Sequence, residues 1–353
     1  MKNLLIVLFV LILVGAGGYF GWRYYQSQAN VSPNLNKKTN SFVWGVTARP
    51  HAINKYNVKD WTKLVGYAND LGVNYVRLGW DTDNHDPVAF NKAVIDEVLK
   101  QGMSPMLGFE SKTDIFASDD PYTDGYDAAF RIATLNKDKV KYYQILNEVS
   151  SVVLRGGEFP GDKEDQYDAS KYAKMRDYLK GAIAGIKKAD PAAQTILTGQ
   201  WTQYAFFDML ARDKVDYDII GWDWYSGMGM IYDNKTADGS NVLDHLKKLN
   251  KPIFLTEVGQ ESNNADGTSS MDEDKQADYF QKMAEWAYNS GVIKGFIAFQ
   301  LTDIITTTDK NSKTDRIDRS GLVQADKNSK GKVVLIKRKA FGVLQSIIAK
   351  YSK

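Results

Sequence analysis

The stretch Tyr142-Tyr143-Gln144-Ile145-Leu146-Asn147-Glu148 is a short run of strand-forming residues that ends on a polar pair. Its aromatic and aliphatic content, and its length, are typical of a buried β-strand. A second run, Pro252-Ile253-Phe254-Leu255-Thr256-Glu257, has the same form and also ends on a glutamate. The two runs predict two buried strands that each deliver a carboxylate at the carboxyl end.

Outward from these runs, short strand patterns alternate with longer helical patterns along the chain. Strands are predicted at residues 42–46, 75–78, 105–109, 142–146, 195–198, 217–222, 253–256 and 295–299. Helices are predicted at residues 61–71, 88–100, 128–139, 169–188, 204–212, 241–249, 271–290 and 338–349. Eight β/α units predict the α/β class and a (β/α)8 TIM barrel. An open doubly wound sheet alternates in the same way, but the first strand lacks the glycine-rich phosphate turn typical of that fold.

The amino-acid composition excludes several kinds of catalytic site. The 353 residues carry 45 Lys and Arg against 43 Asp and Glu, a net charge of +2 that gives no reason to expect a nucleic-acid partner. There is no cysteine, and the three histidines lack the spacing of a metal motif, so neither a metal site nor a cofactor is predicted. No G-x-S-x-G elbow is present for a serine nucleophile. Carboxylates are therefore the predicted source of any chemistry.

The first forty residues differ from the rest. Residues 1–25 contain an apolar run that is long enough to span a bilayer and is predicted to be a signal anchor, or else a cleaved signal peptide. Trp22 and the following tyrosines resemble an interfacial belt and favour the anchor. Residues 26–40 are predicted to be a polar linker and residues 41–353 the barrel domain. The predicted location is the extracellular side of the membrane, anchored or secreted.

In a TIM barrel the active site lies at the carboxyl ends of the strands. Two carboxylates there are what glycoside hydrolysis needs, one as an acid and one facing the sugar carbon. Glu148 and Glu257 end strands four and seven, which lie across the barrel from each other. A separation of about 5 Å between them would mean retention of configuration. Four strand-end tryptophans could stack on sugar rings: Trp80, Trp201, Trp222 and Trp224.

With the Asn147-Glu148 and Thr256-Glu257 strand ends, the sequence from about residue 41 onward resembles the retaining β/α-barrel glycoside hydrolases of clan A. The resemblance implies that Glu148 is the acid/base and Glu257 the nucleophile. It further implies that Asn147 holds the sugar 2-hydroxyl and that Arg77 keeps Glu257 ionised. Tyr225 would hydrogen-bond the nucleophile, and the Glu257 anion would raise the pKa of Glu148.

The sequence departs from the clan pattern at two places. Phe299-Gln300 stands where clan members commonly carry a tryptophan, and Gln300 becomes a candidate substrate contact in its place. Asp223-Trp224 occupies a stretch where many members have a histidine. These departures bear on which sugar is bound and leave both glutamates in place.

Three functions follow from these residues. The first is hydrolysis of a β-linked saccharide at the cell surface by double displacement. The second is a catalytically inactive, membrane-tethered carbohydrate-binding barrel, which the altered end of strand eight suggests. The third is transglycosylation, which uses the same two glutamates and differs in whether a sugar or water accepts the intermediate. A separate expectation concerns Lys337-Arg338-Lys339, which is predicted to be the solvated start of the last helix.

Overall fold

The computed structural model describes residues 42–50, 61–80, 87–111, 114–156, 159–260, 272–307, 315–327 and 333–352. The predicted N-terminal segment and linker lie outside these residues, so the domain boundaries stay predictions. Within the described ranges, no helix has the length and apolar character needed to cross a bilayer.

Eight parallel strands close into a barrel in chain order, with β8 pairing back onto β1. They are β1 Val43–Ala48, β2 Tyr75–Gly79, β3 Ser104–Phe109, β4 Tyr142–Ile145, β5 Gln194–Gln200, β6 Ile219–Tyr225, β7 Ile253–Gly259 and β8 Ile293–Ala298. The predicted (β/α)8 TIM barrel is confirmed.

Helices follow the strands. They are α1 Trp61–Leu71, α2 Pro87–Lys100, α3 Pro121–Leu135, α4 Val149–Val152, α5 Ala169–Ala189, α6 Ala205–Arg212, α7 Val242–Lys248, α8 Glu273–Asn289 and α9 Lys339–Tyr351. Short 3-10 turns lie at Glu164–Gln166 and Ser226–Met228. Two strand pairs outside the barrel close the fold: β9 Ile304–Thr307 with β10 Asp315–Asp318, and β11 Val323–Lys327 with β12 Val333–Lys337.

The barrel interior is apolar at one level and polar at the next. All eight strands contribute to the apolar layer, which consists of Val43, Tyr75, Met106, Tyr142, Ile196, Ile219, Phe254 and Ile297. Because side chains alternate along a strand, the residues two positions further on also point inward. They include Arg77, Gln144 and Thr198, and Thr47 lies on the same face four positions after Val43; all four are buried. The interior therefore changes from hydrocarbon to hydrogen-bonding groups toward the carboxyl ends.

Strand β7 contains a bulge that matters for the site. Trp222 pairs with Leu255, but the next residue, Asp223, pairs with Glu257, so Thr256 is the extra residue. Regular alternation from the inward Phe254 would turn Glu257 out toward the helices. The bulge lets Thr256 and Glu257 both face inward, as their contacts with Asp223 and Arg77 show.

Helices α3 and α5 pack against each other with their backbones in near contact. A Cβ atom on Gly125 would lie 2.2 Å from the carbonyl oxygen of Tyr178, and one on Gly181 would lie 1.9 Å from the carbonyl oxygen of Tyr122. Glycine in a helix interior weakens that helix on its own. Here the glycines permit a close approach that no larger residue allows.

The predicted solvent exposure of the 337–339 run is wrong for its central residue. Arg338 is buried and forms two hydrogen bonds of 2.7 Å with the buried carboxylate of Asp303. The backbone N–H groups of Gly321 and Ala325 also donate to that carboxylate. A forked guanidinium can be buried when its partner is arranged in this way, and this one ties the start of α9 to the loop after β8.

Candidate active site

Glu148 lies just beyond β4, where the chain turns sharply into α4. Its φ of +43° is in the left-handed region, which is unfavourable for a residue with a side chain. The Oγ1 of Thr198 accepts a 2.8 Å hydrogen bond from the Glu148 backbone N–H and so stabilises the turn. The side-chain amide of Gln200 donates to Glu148 Oε2 at 3.0 Å. Two residues of β5 thus hold both the backbone and the carboxyl group of Glu148.

Glu257, on β7, is held at both carboxylate oxygens. Arg77 Nη2 lies 2.8 Å from its Oε1, and the Tyr225 hydroxyl donates to its Oε2. Gly259 makes room for the tyrosine, since a Cβ there would lie 2.9 Å from the Tyr225 ring. Glu257 is an anion fixed by a cation on one side and a phenol on the other.

The two glutamates meet inside the barrel mouth. One carboxyl oxygen each from Glu148, Asp223 and Glu257 lie within 4.8 Å of one another. A sugar carbon and its leaving oxygen can therefore be reached from Glu257 and Glu148 together. The nearest carboxyl oxygens here are closer together than the carboxyl groups of inverting glycosidases, which stand about 6.5–9.5 Å apart to hold a water.

Arg77 organises the surrounding groups. Its guanidinium donates to Gln144 Oε1 at 2.7 Å, to Thr47 Oγ1 at 3.2 Å and to Asn147 Oδ1 at 3.0 Å. The side-chain amide of Gln144 in turn donates to Asn147 Oδ1 at 2.8 Å. The Asn147 oxygen is thereby engaged twice, which orients its amide. Within the part of the chain that the structure describes, its N–H2 group is left to donate to a ligand.

Burial raises the pKa of the Glu148 carboxyl to about 7, with a further rise from the negative charge of Glu257. The positive charge of Arg77 opposes both effects. A carboxyl group with this pKa can donate a proton near neutrality and can also take one back. Burial, with the neighbouring Glu257 and Asp223, likewise raises the pKa of the Tyr225 phenol, which stays a hydrogen-bond donor.

Asp223 is a third carboxyl group in the site. It is fully buried, its Oδ1 accepts from Thr256 at 2.6 Å, and its Oδ2 has no hydrogen-bond partner among the described residues. Burial, with the anion of Glu257, raises the pKa of Asp223 well above its usual value, and Arg77 only partly offsets this. The site therefore favours the neutral acid form of Asp223, because a second buried anion beside Glu257 would be unpaired.

The cluster of Glu148, Asp223 and Glu257 could offer oxygen ligands to a divalent cation. Its own contacts argue for proton chemistry, because Arg77 and Tyr225 already occupy the two oxygens of Glu257. A guanidinium in the same cluster also supplies the positive charge that a cation would bring.

The predicted aromatic contacts are only partly supported. Trp222 and Trp224 are 0% exposed, and their indole N–H groups donate to the backbone oxygens of Trp201 and Gly229. They alternate with the inward Asp223 and so point outward into the helix layer. Their predicted role in sugar binding is wrong.

Of the other three residues predicted to contact substrate, one is buried and two have accessible surface. Gln300 is 1% exposed and donates to Ser320 in the loop after β8, so the structure packs it inside and gives it no accessible surface for a sugar. Trp80 is half-buried against the core, and Trp201 is 39% exposed just after β5. Trp201 is therefore the tryptophan of the predicted set with most surface for a ligand.

Four buried or half-buried polar residues of the site were not among the predicted site residues: Gln144, Thr198, Gln200 and Asp223. The signal that could have found them is the two-residue period of the strands. Gln144 lies two residues after Tyr142 of the apolar layer, and Thr198 lies two residues after Ile196. Buried polar residues at such positions point into a barrel and indicate a site.

Comparisons with known proteins agree with this geometry. The closed barrel is similar to a family 1 β-glucosidase from Thermotoga maritima, with a TM-score of 0.63 and 14% identity, over 91% of this chain and 100% of that one. The β-glucosidase of the same organism in complex with castanospermine has a TM-score of 0.64 at 14% identity, over 90% and 100%. At this identity the likeness shows the fold alone. No curated protein matches the chain in sequence.

The sequence model of glycosyl hydrolase family 53 matches residues 122–308, which is more than half of the chain. The matched residues run from α3 to β9 and include both Glu148 and Glu257. The chain therefore belongs to glycosyl hydrolase family 53 and is a glycoside hydrolase built on a (β/α)8 barrel.

Proposed function

We propose that this protein hydrolyses a β-linked saccharide with retention of configuration, by double displacement. Glu257 is the nucleophile and Glu148 the acid/base. The observation that carries the proposal is the approach of their carboxyl oxygens to within 4.8 Å inside the barrel mouth.

In the first step, Glu257 attacks the anomeric carbon and forms a glycosyl ester, while the bond to the leaving oxygen breaks. Glu148 gives its proton to that oxygen, so the departing sugar leaves as a neutral alcohol. Asn147, oriented by Arg77 and Gln144, is placed to donate to a sugar hydroxyl beside the reacting carbon.

The second step depends on the loss of the negative charge of Glu257 when the ester forms. Esterification removes the negative charge of Glu257, which is one of the two causes that raise the pKa of Glu148. The pKa of Glu148 then falls, and the carboxylate takes a proton from a water as that water attacks the anomeric carbon. The ester breaks, the sugar is released with its original configuration, and both glutamates return to their starting state. A sugar hydroxyl in place of the water would give transglycosylation.

The substrate class proposed is a β-linked saccharide. Support comes from the clan resemblance and from the similar fold of an enzyme named as a β-glucosidase. A panel of chromogenic β-glycosides and β-linked polysaccharides, assayed with the purified protein, identifies the sugar. NMR of the reaction as it proceeds should show the β-anomer of the released sugar appearing first, which is the result expected of a retaining enzyme.

The roles of the two glutamates are tested by substitution. Glu257→Gln and Glu148→Gln should each lower turnover by about 10³-fold or more, because each removes a group that acts only in the transition state. Glu164→Gln is the matched control, because Glu164 is exposed on a 3-10 turn and is paired with Arg212. Normal turnover in both site variants would refute the assignment.

Two further measurements separate the roles. Azide should partly rescue Glu148→Ala, because a small anion can attack the glycosyl ester without a general base. It should not rescue Glu257→Ala to the same retained product. A 2-fluoro glycoside should label the peptide that contains Glu257, as seen by mass spectrometry. Labelling of any other residue would contradict the proposed nucleophile.

We also propose that the barrel works outside the cell, held at the membrane by residues 1–25 or secreted after their removal. Support comes from the uninterrupted apolar run near the N-terminus, which is long enough to span a bilayer. Protease treatment of intact cells should digest the barrel, and the mass of the recovered protein should reveal whether the segment is retained. A barrel protected until the cells are lysed would contradict the location.

A further inference from the structure

The two ends of the barrel differ in charge. All strands of a parallel barrel start at the same end, so the connections that lead from a helix to the next strand lie together, opposite the mouth. We call these connections, with the last turn of each helix before them, the base. The connections are residues 72–74, 101–103, 136–141, 190–193, 213–218, 249–252 and 290–292, all within the described ranges. The charges of the base can therefore be compared completely.

Ion pairs neutralise only part of the positive charge at the base. The pairs that include a lysine or arginine of the base are Lys100 with Glu97, Lys139 with Asp96, Lys187 with Asp218, Arg212 with Asp213, Lys247 with Asp244 and Lys251 with Asp216. The lysines of the base that are exposed and form no ion pair with a described residue are Lys137, Lys141, Lys188, Lys214 and Lys248. The acids of the base without a cationic partner in the described chain are Asp138 and Asp190. The base therefore has an excess of positive charge.

The described part of the mouth end has the opposite sign after β3 and β4. Apart from the catalytic Glu148, the acids there that form no ion pair with a described residue are Glu110, Asp114, Asp119, Asp120, Asp162, Asp165 and Asp168. The basic residues of the same segments without such a pair are Arg155 and Lys163. These segments of the mouth end are therefore acidic where the base is basic.

The chain also enters the barrel at the base. Strand β1 begins at Val43, and the backbone oxygen of Phe42 accepts a 3.1 Å hydrogen bond from the side-chain amide of Asn74, in the connection that precedes β2. The predicted linker, residues 26–40, leads to this point and spans at most roughly 50 Å when fully extended. A barrel anchored through residues 1–25 therefore stays within reach of the bilayer.

An anionic bilayer matches this distribution of charge. Its surface potential attracts lysines, which strengthens binding by roughly fivefold for each lysine near the surface and fades within about 10 Å. The same potential repels the acids of the mouth end. Because contact with the bilayer is intramolecular for an anchored protein, a weak attraction is enough to orient the barrel.

We infer that the base docks on the anionic phospholipid surface of the bilayer and turns the mouth away from the membrane. The partner is a bilayer that contains phospholipids of net negative charge, such as phosphatidylglycerol. This inference rests on the proposed location outside the cell at the membrane. It concerns the end of the barrel opposite the mouth, so both glutamates keep the roles given above.

The test measures the orientation of the full chain on vesicles by energy transfer to a lipid labelled at its headgroup. Because the chain has no cysteine, a single Ala192→Cys at the base or Ser170→Cys at the start of α5 can carry the donor dye. Both positions are exposed. On phosphatidylcholine vesicles that contain phosphatidylglycerol, transfer from position 192 should exceed transfer from position 170 by about twofold or more. This transfer ratio should fall on pure phosphatidylcholine vesicles and in about 1 M NaCl, where the Debye length is about 3 Å.

The base variant combines Lys137→Gln, Lys141→Gln and Lys188→Gln, which removes three exposed charges that have no ion pair with a described residue. Its transfer ratio on phosphatidylglycerol vesicles should fall to the value that the native protein has on pure phosphatidylcholine. Turnover of a soluble glycoside should stay at the native level, which shows that the variant is folded.

The matched control combines Lys163→Gln, Lys171→Gln and Lys235→Gln, which removes three exposed charges from the mouth end. It has the same net charge as the base variant and should keep the native transfer ratio, since these lysines do not face the bilayer in the proposed orientation. A ratio that falls equally in both variants would overturn the inference.

Other outcomes overturn the inference as well. They are a transfer ratio of one or less for the native protein on phosphatidylglycerol vesicles, and a high ratio that persists in the base variant or at high salt. Binding of soluble polyphosphate that depends on the base lysines, with no response to phosphatidylglycerol, would assign the base to a soluble polyanion and not to the bilayer.

The outcomes separate this inference from the proposed location and mechanism. A chain that does not sediment with pure phosphatidylcholine vesicles contradicts the anchor. If that chain is still recruited to phosphatidylglycerol vesicles through the base lysines, the inference stands, and if it is not recruited, the inference fails too. Loss of turnover in Glu257→Gln is independent of either result.

Discussion

The neutral state of Asp223 has a sharp consequence for the Asp223→Asn variant. The substitution keeps the oxygen that accepts from Thr256 and replaces a carboxylic O–H by an amide N–H2. If Asp223 is already uncharged, the variant changes no charge in the site. The basic limb of the pH profile of kcat/KM, which reports loss of the Glu148 proton, should then stay near pH 7.

The distance between the two carboxyl groups sets how far the pH profile would move if Asp223 were ionised instead. Carboxyl oxygens of Asp223 and Glu148 approach within 4.8 Å, so an ionised Asp223 would raise the free energy of ionising Glu148. Coulomb's law with an effective dielectric constant of about 20 gives about 3 kcal/mol, or roughly two pH units. Removing such a charge would lower the pKa of Glu148 and move the basic limb toward lower pH by that amount.

The assay is the dependence of kcat/KM on pH between about pH 4 and 9 for both proteins. A basic limb that moves down by a unit or more in Asp223→Asn would refute the neutral state. Infrared difference spectra give an independent check. The C=O stretch of a neutral carboxyl group should be present in Glu148→Gln at neutral pH and absent after Asp223→Asn is added.

The same residue affects stability. The pKa of Asp223 is raised on folding, so the folded protein holds the proton more tightly than the unfolded chain does. Its contribution is complete below the unfolded pKa and is lost as pH rises through the folded pKa. The Tm of Asp223→Asn relative to the native protein should therefore rise between about pH 5 and pH 8.

Three further outcomes are expected. Tyr225→Phe removes a hydrogen bond to the Glu257 carboxylate and should lower kcat by about 10- to 100-fold, measured by steady-state kinetics; calorimetry should also show a lower Tm, because one oxygen of a buried carboxylate loses its donor. Arg338→Met leaves a buried carboxylate unpaired and should cost about 3–5 kcal/mol in urea unfolding. Adding Asp303→Asn, which removes the charge and keeps an acceptor oxygen for a backbone N–H group, should restore much of that loss. A single variant as stable as the native protein would contradict the buried pair. Gly125→Ala should destabilise by about 1–3 kcal/mol, because its Cβ would meet a backbone oxygen of α5 at 2.2 Å. Gly66→Ala, with nothing within 4 Å, is the matched helix control and should stabilise slightly.

Much of the barrel could be predicted from the sequence, because its strands and helices differ in pattern. The helix predicted at 61–71 matches α1, and the strands predicted near the two glutamates are present. The largest difference is α3, predicted to start at residue 128 but starting at Pro121. Gly125 weakens the helix locally, whereas Asp120 as the N-cap and Pro121 in the first turn are start signals that the prediction did not use. Contact with α5 compensates for the glycine, which only tertiary structure reveals.

Site residues that follow the end of a strand could be predicted from the sequence. Site residues whose inward direction depends on the pairing register of the strands could not. Glu148 and Glu257 could be found as residues that follow buried strands. The bulge at Thr256 could not, since no glycine or proline marks it. The tryptophans of β6 were assigned to the mouth because aromatic residues near a strand end suit sugars, but alternation with Asp223 turns them into the helix layer.

The extra residue in β7 gives the site a hydroxyl group that a strand without a bulge would not supply. Deleting Thr256 would restore the two-residue period and would leave the nucleophile on the inward face, because Glu257 would then follow Phe254 by two positions and still lie opposite Asp223. What the deletion removes is the donor that Thr256 offers to the buried carboxyl group of Asp223. We expect such a protein to keep its barrel and its nucleophile, while the pKa of Asp223 rises further because the hydrogen bond that lowers it is gone.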